Sequence, residues 1–190
     1  MAKQKKSTEQ PKNEFVIFTD GSCNNLDKFN NGGWAYIAFE ASAVAADKDI
    51  DIKQAYKVES GAAKKTTNNR IELTAICKAI ASLPMAAKCY IFTDSEYCIK
   101  VLDHRDGHQF VANTDIINTF YQVIALRAIS YSFHWIKGHS GYKFNELADQ
   151  LAQSEYRKLN NVANGTDFVN NIPLEKFLVK TDQQTTTDEQ

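Results

Sequence analysis

The sequence predicts an α/β fold in which a five-stranded mixed sheet is flanked by helices on both faces. Three strand-like segments follow one another in the first third of the chain, and helical and strand-like segments alternate from residue 68 onward. Consecutive strands suit an antiparallel arrangement, whereas alternation with helices requires crossovers and therefore parallel pairing. We therefore expect the first three strands to be antiparallel and the other two to be parallel.

Five short segments have the composition of strands. The apolar runs EFVIFTD and KCYIFTD suit central strands, and GGWAYIAFE follows a turn rich in Asn and Gly. IKQAYKVES alternates in the way that a half-exposed strand does, and ISYSFHWI is the last of the five. In chain order, the predicted strands are residues 14–20, 32–40, 52–60, 88–94 and 129–136.

Apolar residues at helical spacing predict the helices. The first carries the stripe Leu73, Cys77, Ile80 and Leu83, which Pro84 ends. A short helix at SEYCIKVLD and a longer one at TDIINTFYQVIAL follow. The last helix is predicted to begin near Phe144, because apolar side chains then recur at the i, i+3, i+4, i+7 and i+8 positions of one face.

Length and composition indicate one folded domain with polar ends. The chain has 190 residues, of which 43% are apolar and 24% charged, as in an ordinary globular protein. We predict a disordered, Lys-rich arm at residues 1–12, the folded domain at 13–160, and a partly disordered C-terminal extension at 161–190.

Charge and cysteine content narrow the functional classes. A net charge of −1 excludes a global positive field, so a nucleic-acid partner would be bound through a local patch. Four scattered cysteines without a CxxC pair argue against a zinc cluster. The sequence shows neither a signal peptide nor a long apolar span. We therefore expect reduced cysteines in a cytoplasmic protein that does not contact membranes.

The tetrapeptide IFTD occurs twice, at residues 17–20 and 91–94, and each copy ends a predicted strand. Shared turn chemistry is one explanation, because Asp is common after strands and caps the helices that follow them. The alternative is that Asp20 and Asp94 are carried to one place, since sites in open α/β sheets lie beyond the carboxyl ends of parallel strands.

Two further acids have suggestive positions. Glu72 lies early in the first helix, where it would also suit a capping box, and Asp149 lies beside the buried stripe of the last helix, where a partly solvated residue is the alternative. Several carboxylates packed together repel one another unless a cation lies among them. Oxygen ligands favour Mg²⁺ or Mn²⁺, and two such ions about 3.5–4 Å apart suit phosphodiester hydrolysis.

Four motifs, FTDGSC, TTNNRIEL, FTDSEY and WIKGHSG…NELADQLA, occur in this order and resemble the type 1 ribonuclease H family over residues 14–159. The resemblance implies the ribonuclease H-like fold for the sheet and a catalytic domain at 13–160. It also implies a monomeric endonuclease that hydrolyses the RNA strand of RNA–DNA hybrids with two Mg²⁺ ions, for which Mn²⁺ can substitute. The products would carry 5′-phosphate and 3′-hydroxyl ends.

The resemblance also implies roles for individual residues. Asp20, Glu72, Asp94 and Asp149 would be the catalytic metal ligands, and His139 would be a mobile catalytic histidine in the KGHSG loop. A loop histidine without a role is the alternative for His139.

The surface expected to bind the hybrid follows from the same motifs. It consists of Gly21, Ser22, Cys23, Asn24, Asn25, Lys65, Thr67, Asn68, Asn69, Arg70 and Glu96. Thr67 or Asn68 would also serve as an N-cap, and Glu96 stands where many members of the family carry Gln.

Some features depart from the family pattern. The segment LDHRDGHQFVANTD is short and has one Arg against three Asp, so it is a reduced form of the basic protrusion that grips DNA in many members. We therefore expect weaker binding unless the Lys-rich arm compensates. That arm is too short to be the separate hybrid-binding domain of some members. The polar ends suit a free-standing protein better than a reverse transcriptase domain.

Two other functional classes share some of these sequence features. A catalytically silent nucleic-acid-binding module would not need four mutually repelling acids. A junction resolvase or a proofreading exonuclease also carries acids on its strands, but the NNRIEL and KGHSG motifs argue against both.

Overall fold

The computed structural model describes residues 13–24, 29–103 and 112–164, without the side chains of 162–164. Within these residues the chain forms a five-stranded sheet in the order β3-β2-β1-β4-β5. The strands are β1 (Glu14–Cys23), β2 (Gly32–Glu40), β3 (Lys57–Ala63), β4 (Lys88–Thr93) and β5 (Ser130–Trp135). β1, β2 and β3 pair antiparallel, whereas β4 is parallel to both β1 and β5. The predicted mixed sheet is therefore confirmed.

Helices cover both faces of this sheet. They are α1 (Ala41–Ala46), α2 (Asn68–Ser82), α3 (Glu96–Leu102), α4 (Thr114–Arg127) and α5 (Lys143–Asn164). The three helices α2, α3 and α4 share one hydrophobic core with alternate residues of the strands, and α5 packs on the opposite face. The four predicted helices are present, and they begin within one residue of the positions that the sequence indicated.

The larger core lies between the sheet and α2. Phe15 and Ile17 of β1 point into it, as does Tyr36 of β2, and they meet Leu73 and Ile76 of α2. Each of these side chains is almost fully buried. Burying one such side chain is worth about 1.5–3 kcal/mol, so this face fixes both the register of β1 and the rotation of α2.

The second core holds α5 against the sheet. The ring of Phe144 lies 4.6 Å from the ring of Phe39 and 5.5 Å from that of Phe18, measured between centroids. Further along α5, the carbonyl of Ala152 lies so close to Gly33 of β2 that a side chain at Gly33 would overlap it. The middle of α5 is thus held directly against the strands, and Asp149 lies between these two contacts.

The third strand is shifted from its predicted position. Residues 52–54 form a turn of 3₁₀ helix, and β3 begins only at Lys57. The Asp51 side chain accepts a hydrogen bond from the Lys53 N–H at 3.0 Å, and the Gln54 side chain accepts one from the Asp51 N–H at 2.8 Å. These local bonds compete with strand pairing, which explains why an alternating segment forms a turn.

Helix α1 is an addition that the sequence did not indicate. It spans six residues, which is too short for a helical repeat to show, and Ala43 and Val44 are only partly buried against the second core. No disulfide bond joins any two of the four cysteines, all of which lie in the described residues. None of the helices in the described residues combines the length and apolar character that crossing a bilayer requires.

Several predictions concern segments outside the described residues. These are the Lys-rich arm at 1–12, Asn25, residues 104–111 of the reduced protrusion, and the C-terminal extension beyond 164. The predicted domain boundary at residue 160 lies within α5, which continues to Asn164.

Candidate active site

The two IFTD segments lie side by side in matching register. Ile17 of β1 pairs with Ile91 of β4, and Phe18 pairs with Phe92, in the parallel orientation. Asp20 follows Phe18 by two positions, and Asp94 follows Phe92 by two positions. The parallel pairing therefore brings both carboxylates to the same edge of the sheet, as the repeated segment predicted.

Glu72 approaches this edge from α2. Thr67 is the N-cap of the helix, and its hydroxyl accepts a hydrogen bond from the Arg70 N–H at 3.4 Å. A capping-box glutamate would occupy position 70, so Glu72 does not cap the helix. It is instead 9% exposed, and its Oε1 accepts a hydrogen bond from the Asn68 amide at 2.8 Å. A side chain at Gly21 would overlap Glu72, which shows how closely β1 passes this helix.

Asp149 reaches the site from α5 on the other face of the sheet. Its side chain is 18% exposed, and both carboxylate oxygens accept hydrogen bonds from the Gln153 amide, at 2.8 and 2.9 Å. Its negative charge contributes to the raised pKa of Asp20. The sequence left two alternatives for Asp149, a metal ligand or a partly solvated helix residue. The structure places its side chain in the acidic cluster.

Burial and mutual repulsion change the protonation of two of these acids. Burial raises the pKa of Asp20 to about 9, and the charges of Asp94, Glu72 and Asp149 act in the same direction. Only the Gly21 N–H, which donates to Asp20 Oδ1 at 2.7 Å, works against this rise. Burial and the charge of Asp94 likewise raise the pKa of Glu72 to about 7, partly offset by Ser95 and Asn68. The four acids therefore form one electrostatically coupled cluster.

The donor chemistry of the cluster fits a hard divalent cation. All four side chains offer oxygen, and Glu72 Oε2 is buried without a hydrogen-bond partner. No group of three or more acidic, histidine or cysteine side chains in the described residues is already gathered closely enough to hold an ion. A cation bound among the four acids would offset the repulsion between their charges.

The loop after β5 crosses the cluster between Asp94 and Asp149. The Ile136 N–H donates to the Thr93 carbonyl at 3.1 Å, and the loop then passes so close to Asp94 that a Cβ at Gly138 would overlap its carboxylate. His139 comes next and is 81% exposed, with Nδ1 at 4.0 Å from Asp149 Oδ2. The predicted catalytic histidine is thus adjacent to the acids and accessible to solvent.

The residues predicted to bind the hybrid line the same edge. Gly21, Ser22 and Cys23 end β1, and the Cys23 thiol lies 3.9 Å from the Thr66 carbonyl just before α2. The remaining described members of this set lie after β1 or at or next to the beginning of α2 or α3. In chain order they are Asn24, which is exposed after β1, then Lys65, Thr67, Asn68, Asn69, Arg70 and Glu96.

Arg70 already has a partner inside the protein. Its guanidinium donates two hydrogen bonds to Asp115 of α4, at 2.9 and 2.6 Å, and a third at 3.3 Å to the side chain of Asn113. This pairing joins the beginnings of α2 and α4 next to the site. Sequence reasoning missed it, because ion pairs between distant segments leave no local pattern.

Sequence reasoning also missed the residues that hold Asp149. Gln153 and Arg157 lie four and eight positions after it on α5, and Arg157 Nη2 donates to Gln153 Oε1 at 2.8 Å. The i, i+4, i+8 spacing from an acid is a signal that inspection of α5 would have found.

The mixed sheet carries carboxylates at the ends of two parallel strands, of which Asp20 is buried and Asp94 partly exposed. Metal-dependent hydrolases of phosphodiesters are therefore the class to compare. The family model described as RNase H matches residues 12–157. The ribonuclease H of Marinobacter nauticus is 31% identical over 154 residues, which are 76% of this chain and 95% of that protein. The ribonuclease H of Orientia tsutsugamushi is 32% identical over 174 residues, or 85% of this chain and 90% of that protein.

A solved structure shows the same fold. The N-terminal RNase H domain of rv2228c from Mycobacterium tuberculosis, fused to maltose-binding protein, superposes with a TM-score of 0.62 and 14% identity, covering 79% of this chain and 98% of that one. With the family match over most of its length, this chain belongs to the ribonuclease H family.

Proposed function

We propose that the protein hydrolyses the RNA strand of RNA–DNA hybrids with two divalent ions held by Asp20, Glu72, Asp94 and Asp149. As a member of the ribonuclease H family it is a metal-dependent endoribonuclease that acts on such hybrids. The observation that carries the finer proposal is the coupling of four carboxylates from two strands and two helices at one edge of the sheet. Mg²⁺ is the proposed ion, Mn²⁺ its substitute, and the products carry 5′-phosphate and 3′-hydroxyl ends.

We propose different roles for the buried and the exposed residues of the site. When bound, the ions supply a water of lowered pKa and neutralise charge that develops on the phosphate. Asp20 and Glu72 are the most buried of the four acids and lie on the protein side of the cluster. Asp94 and Asp149 are partly exposed, so they are the two acids that we propose an arriving phosphodiester meets first. His139 is accessible beside Asp149, where an imidazole can move a proton or assist product release.

Selection of the RNA strand is proposed to occur next to the acids. RNA differs from DNA by its 2′-hydroxyl, which is both a donor and an acceptor. Asn68 is hydrogen-bonded to Glu72, so a groove-reading amide and a metal-binding carboxylate are linked. The backbone of Gly21 to Cys23 lies along the same edge. We propose that these groups, with Lys65, Thr67 and Asn69, read the hybrid while its phosphate enters the cluster.

The experiment that tests the proposal is cleavage of a labelled RNA–DNA hybrid, beside matched RNA–RNA and DNA–DNA duplexes. It is run in Mg²⁺, in Mn²⁺ and in chelator, with wild type and Asp94→Asn. Cutting should be confined to the RNA of the hybrid, require metal, and fall at least about 100-fold in the variant, because losing even an outer partner of a metal ligand costs about 10–100-fold. Hybrid binding without cutting in either metal would leave only a binding module.

The quaternary state and location belong to the same proposal. We propose a monomer that works in the cytoplasm, with residues 13–160 as the catalytic domain. No disulfide bond joins any of the four cysteines, each of which the structure describes, and this supports a reducing compartment. Sedimentation equilibrium tests the monomer, and fluorescence microscopy of a tagged chain tests the location.

A further inference from the structure

The carboxylate of Asp149 is held from one side by an uncharged donor. The Gln153 amide nitrogen lies 2.8 Å from Oδ1 and 2.9 Å from Oδ2, one helical turn further along α5. An ionised carboxylate has about four lone-pair sites, so two remain for other partners. Both oxygens therefore meet the same nitrogen, so one donor holds the carboxylate as a whole.

Arg157 fixes which way the Gln153 amide faces. Its guanidinium can only donate, so the atom that it meets at 2.8 Å must be the amide oxygen, Oε1. The NH₂ group of Gln153 is then turned toward Asp149. Gln153 is half-buried and Arg157 exposed, so the chain of contacts runs from the solvent to the acidic cluster along one face of α5.

An amide in this position has a consequence that a charged donor would not have. A Lys or Arg paired with Asp149 would neutralise the carboxylate and compete with a cation for it. An amide orients the oxygens and leaves the negative charge in place. Ligands of metals are commonly oriented in this way by hydrogen-bonded neighbours, and removing such a neighbour costs about 10–100-fold in metal affinity or activity.

We propose that Gln153 is a positioning residue that orients Asp149 for ion binding, and that Arg157 sets the direction of its amide. The inference rests on the proposed function, because it takes Asp149 to be a metal ligand. It assigns to α5 a relay of three side chains, Asp149, Gln153 and Arg157, in which only the first contacts the ion.

The test is the replacement Gln153→Met, which keeps side-chain length and helix propensity but removes the donor. Binding of Mn²⁺ to the protein without substrate is followed by electron paramagnetic resonance of the free ion. The Mg²⁺ concentration for half-maximal cleavage is measured separately. We expect both the Mn²⁺ dissociation constant and this Mg²⁺ concentration to rise about tenfold. The KM for the hybrid should stay unchanged, and the melting temperature in chelator should move by less than about 2 °C.

Two further variants complete the design. Arg157→Met keeps the amide but frees its orientation, so it should shift metal binding in the same direction by a smaller factor. Gln150→Met makes the same substitution at an exposed position of α5 and should leave every readout at its wild-type value.

The possible failures are distinguishable. Suppose that Gln153→Met leaves the Mn²⁺ dissociation constant and the Mg²⁺ concentration for half-maximal cleavage unchanged, whereas Asp149→Asn clearly weakens metal binding. This result would overturn the role of Gln153 and leave the proposed function standing. A lower melting temperature with unchanged half-saturation would also overturn it, because Gln153 would then be merely structural. A wild-type protein that cleaves no hybrid would overturn both proposals.

Discussion

Asp20 is buried among other acids with one opposing hydrogen bond, from Gly21, so its charged form is unfavourable without a cation. Its usual pKa of 3.8 rises to about 9 in the folded protein. Between these values the folded state retains a proton that the unfolded chain has released. The free energy of unfolding of the metal-free protein should therefore fall as pH rises through this window, and function and stability oppose each other at this residue.

Asp20→Asn should stabilise the metal-free protein because it removes this penalty. At pH 7 in chelator, we expect the free energy of unfolding to rise by about 1–4 kcal/mol, since one pKa unit corresponds to about 1.4 kcal/mol. The gain should shrink toward pH 4. Urea denaturation across this pH range is the measurement, with Asp49→Asn at an exposed position as the control. A variant less stable than wild type at pH 8 in chelator would contradict the expectation.

Gly138 controls the position of Asp94 through its lack of a side chain. In Gly138→Ala, the new Cβ would overlap the Asp94 carboxylate, and the exposed loop or the carboxylate must move. We expect cleavage to fall about 10–100-fold, because small displacements of reacting groups have effects of this size. The free energy of unfolding should change by less than about 1 kcal/mol, since the loop around it is mostly exposed. Full activity in this variant would show that the loop moves away from Asp94 at no cost to catalysis.

The sequence was sufficient to predict the acids but not their supports. Asp20 and Asp94 were found because each ends an apolar strand with the same tetrapeptide, which is a local signal. Gln153 lies four positions after Asp149, a spacing that the sequence contains, but the hydrogen bonds between the two side chains are visible only in the fold. Arg70 likewise reads as a surface cation, whereas its partner Asp115 comes from a helix that follows much later in the chain.

At the scale of elements, the contact between α5 and β2 decides where Asp149 lies. Gly33 allows the Ala152 carbonyl and the Tyr156 N–H to approach the strand, and both are backbone atoms of a helix that cannot shift individually. Gly33 lies on β2, a strand without any of the four acids, and it nevertheless sets the position of the helix that carries Asp149.

Gly33→Ala should push α5 away from the sheet. We expect a loss of about 2–3 kcal/mol in the free energy of unfolding, which is in the range for overpacking a rigid contact. Gly61→Ala is the comparison variant, because the atoms nearest to its new Cβ belong to the Trp34 side chain and not to a helix backbone. Chemical denaturation of both variants makes the comparison. An equal loss of unfolding free energy in the two variants would show that the backbone contact between Gly33 and α5 costs no more to disturb than a side-chain contact.

The position of β3 shows where local patterns mislead. Residues 52–60 alternate as a strand does, but Asp51 and Gln54 exchange hydrogen bonds with the backbone and form a turn first. Ala55 is buried beyond that turn, in the core under α5, and not as part of a pleat. Side chains that satisfy their own backbone are invisible to hydrophobic periodicity.

At the scale of the whole molecule, the net charge of −1 makes hybrid binding depend on where the positive charges lie. The arm at residues 1–12 carries four lysines, Lys3, Lys5, Lys6 and Lys12, and the reduced protrusion offers little to replace them. We expect the arm to supply much of the salt-dependent affinity.

Deleting residues 1–12 should therefore flatten the dependence of affinity on salt. The slope of log K against log salt should lose up to about 3, because each phosphate contact contributes about 0.7–0.9. Fluorescence anisotropy with Asp94→Asn, in full-length and shortened forms, measures binding without cleavage. Replacing the four lysines with Gln in the full-length chain is the control and should reproduce the change. An unchanged slope would place the phosphate contacts elsewhere.

The topology could be predicted because it follows from the order of strands and helices. Three consecutive strands and two later crossovers leave few ways to build one sheet, and connection rules remove most of those. The order β3-β2-β1-β4-β5 places the first strand in the centre. What the order of elements cannot specify is which helix residues meet across the finished sheet.

The central position of β1 has a consequence for synthesis on the ribosome. Ile17 cannot pair with its parallel partner Ile91 until Ile91 has been synthesised. Asp149 is added later still, as part of the last helix. At about 5–20 residues per second, the interval between Asp20 and Asp149 is on the order of ten seconds. Throughout that interval the nascent chain lacks at least one of the four acids that we propose to hold the ions. On this proposal, a nascent chain cannot cut the nucleic acids around it until Asp149 has been added and α5 has packed on the sheet.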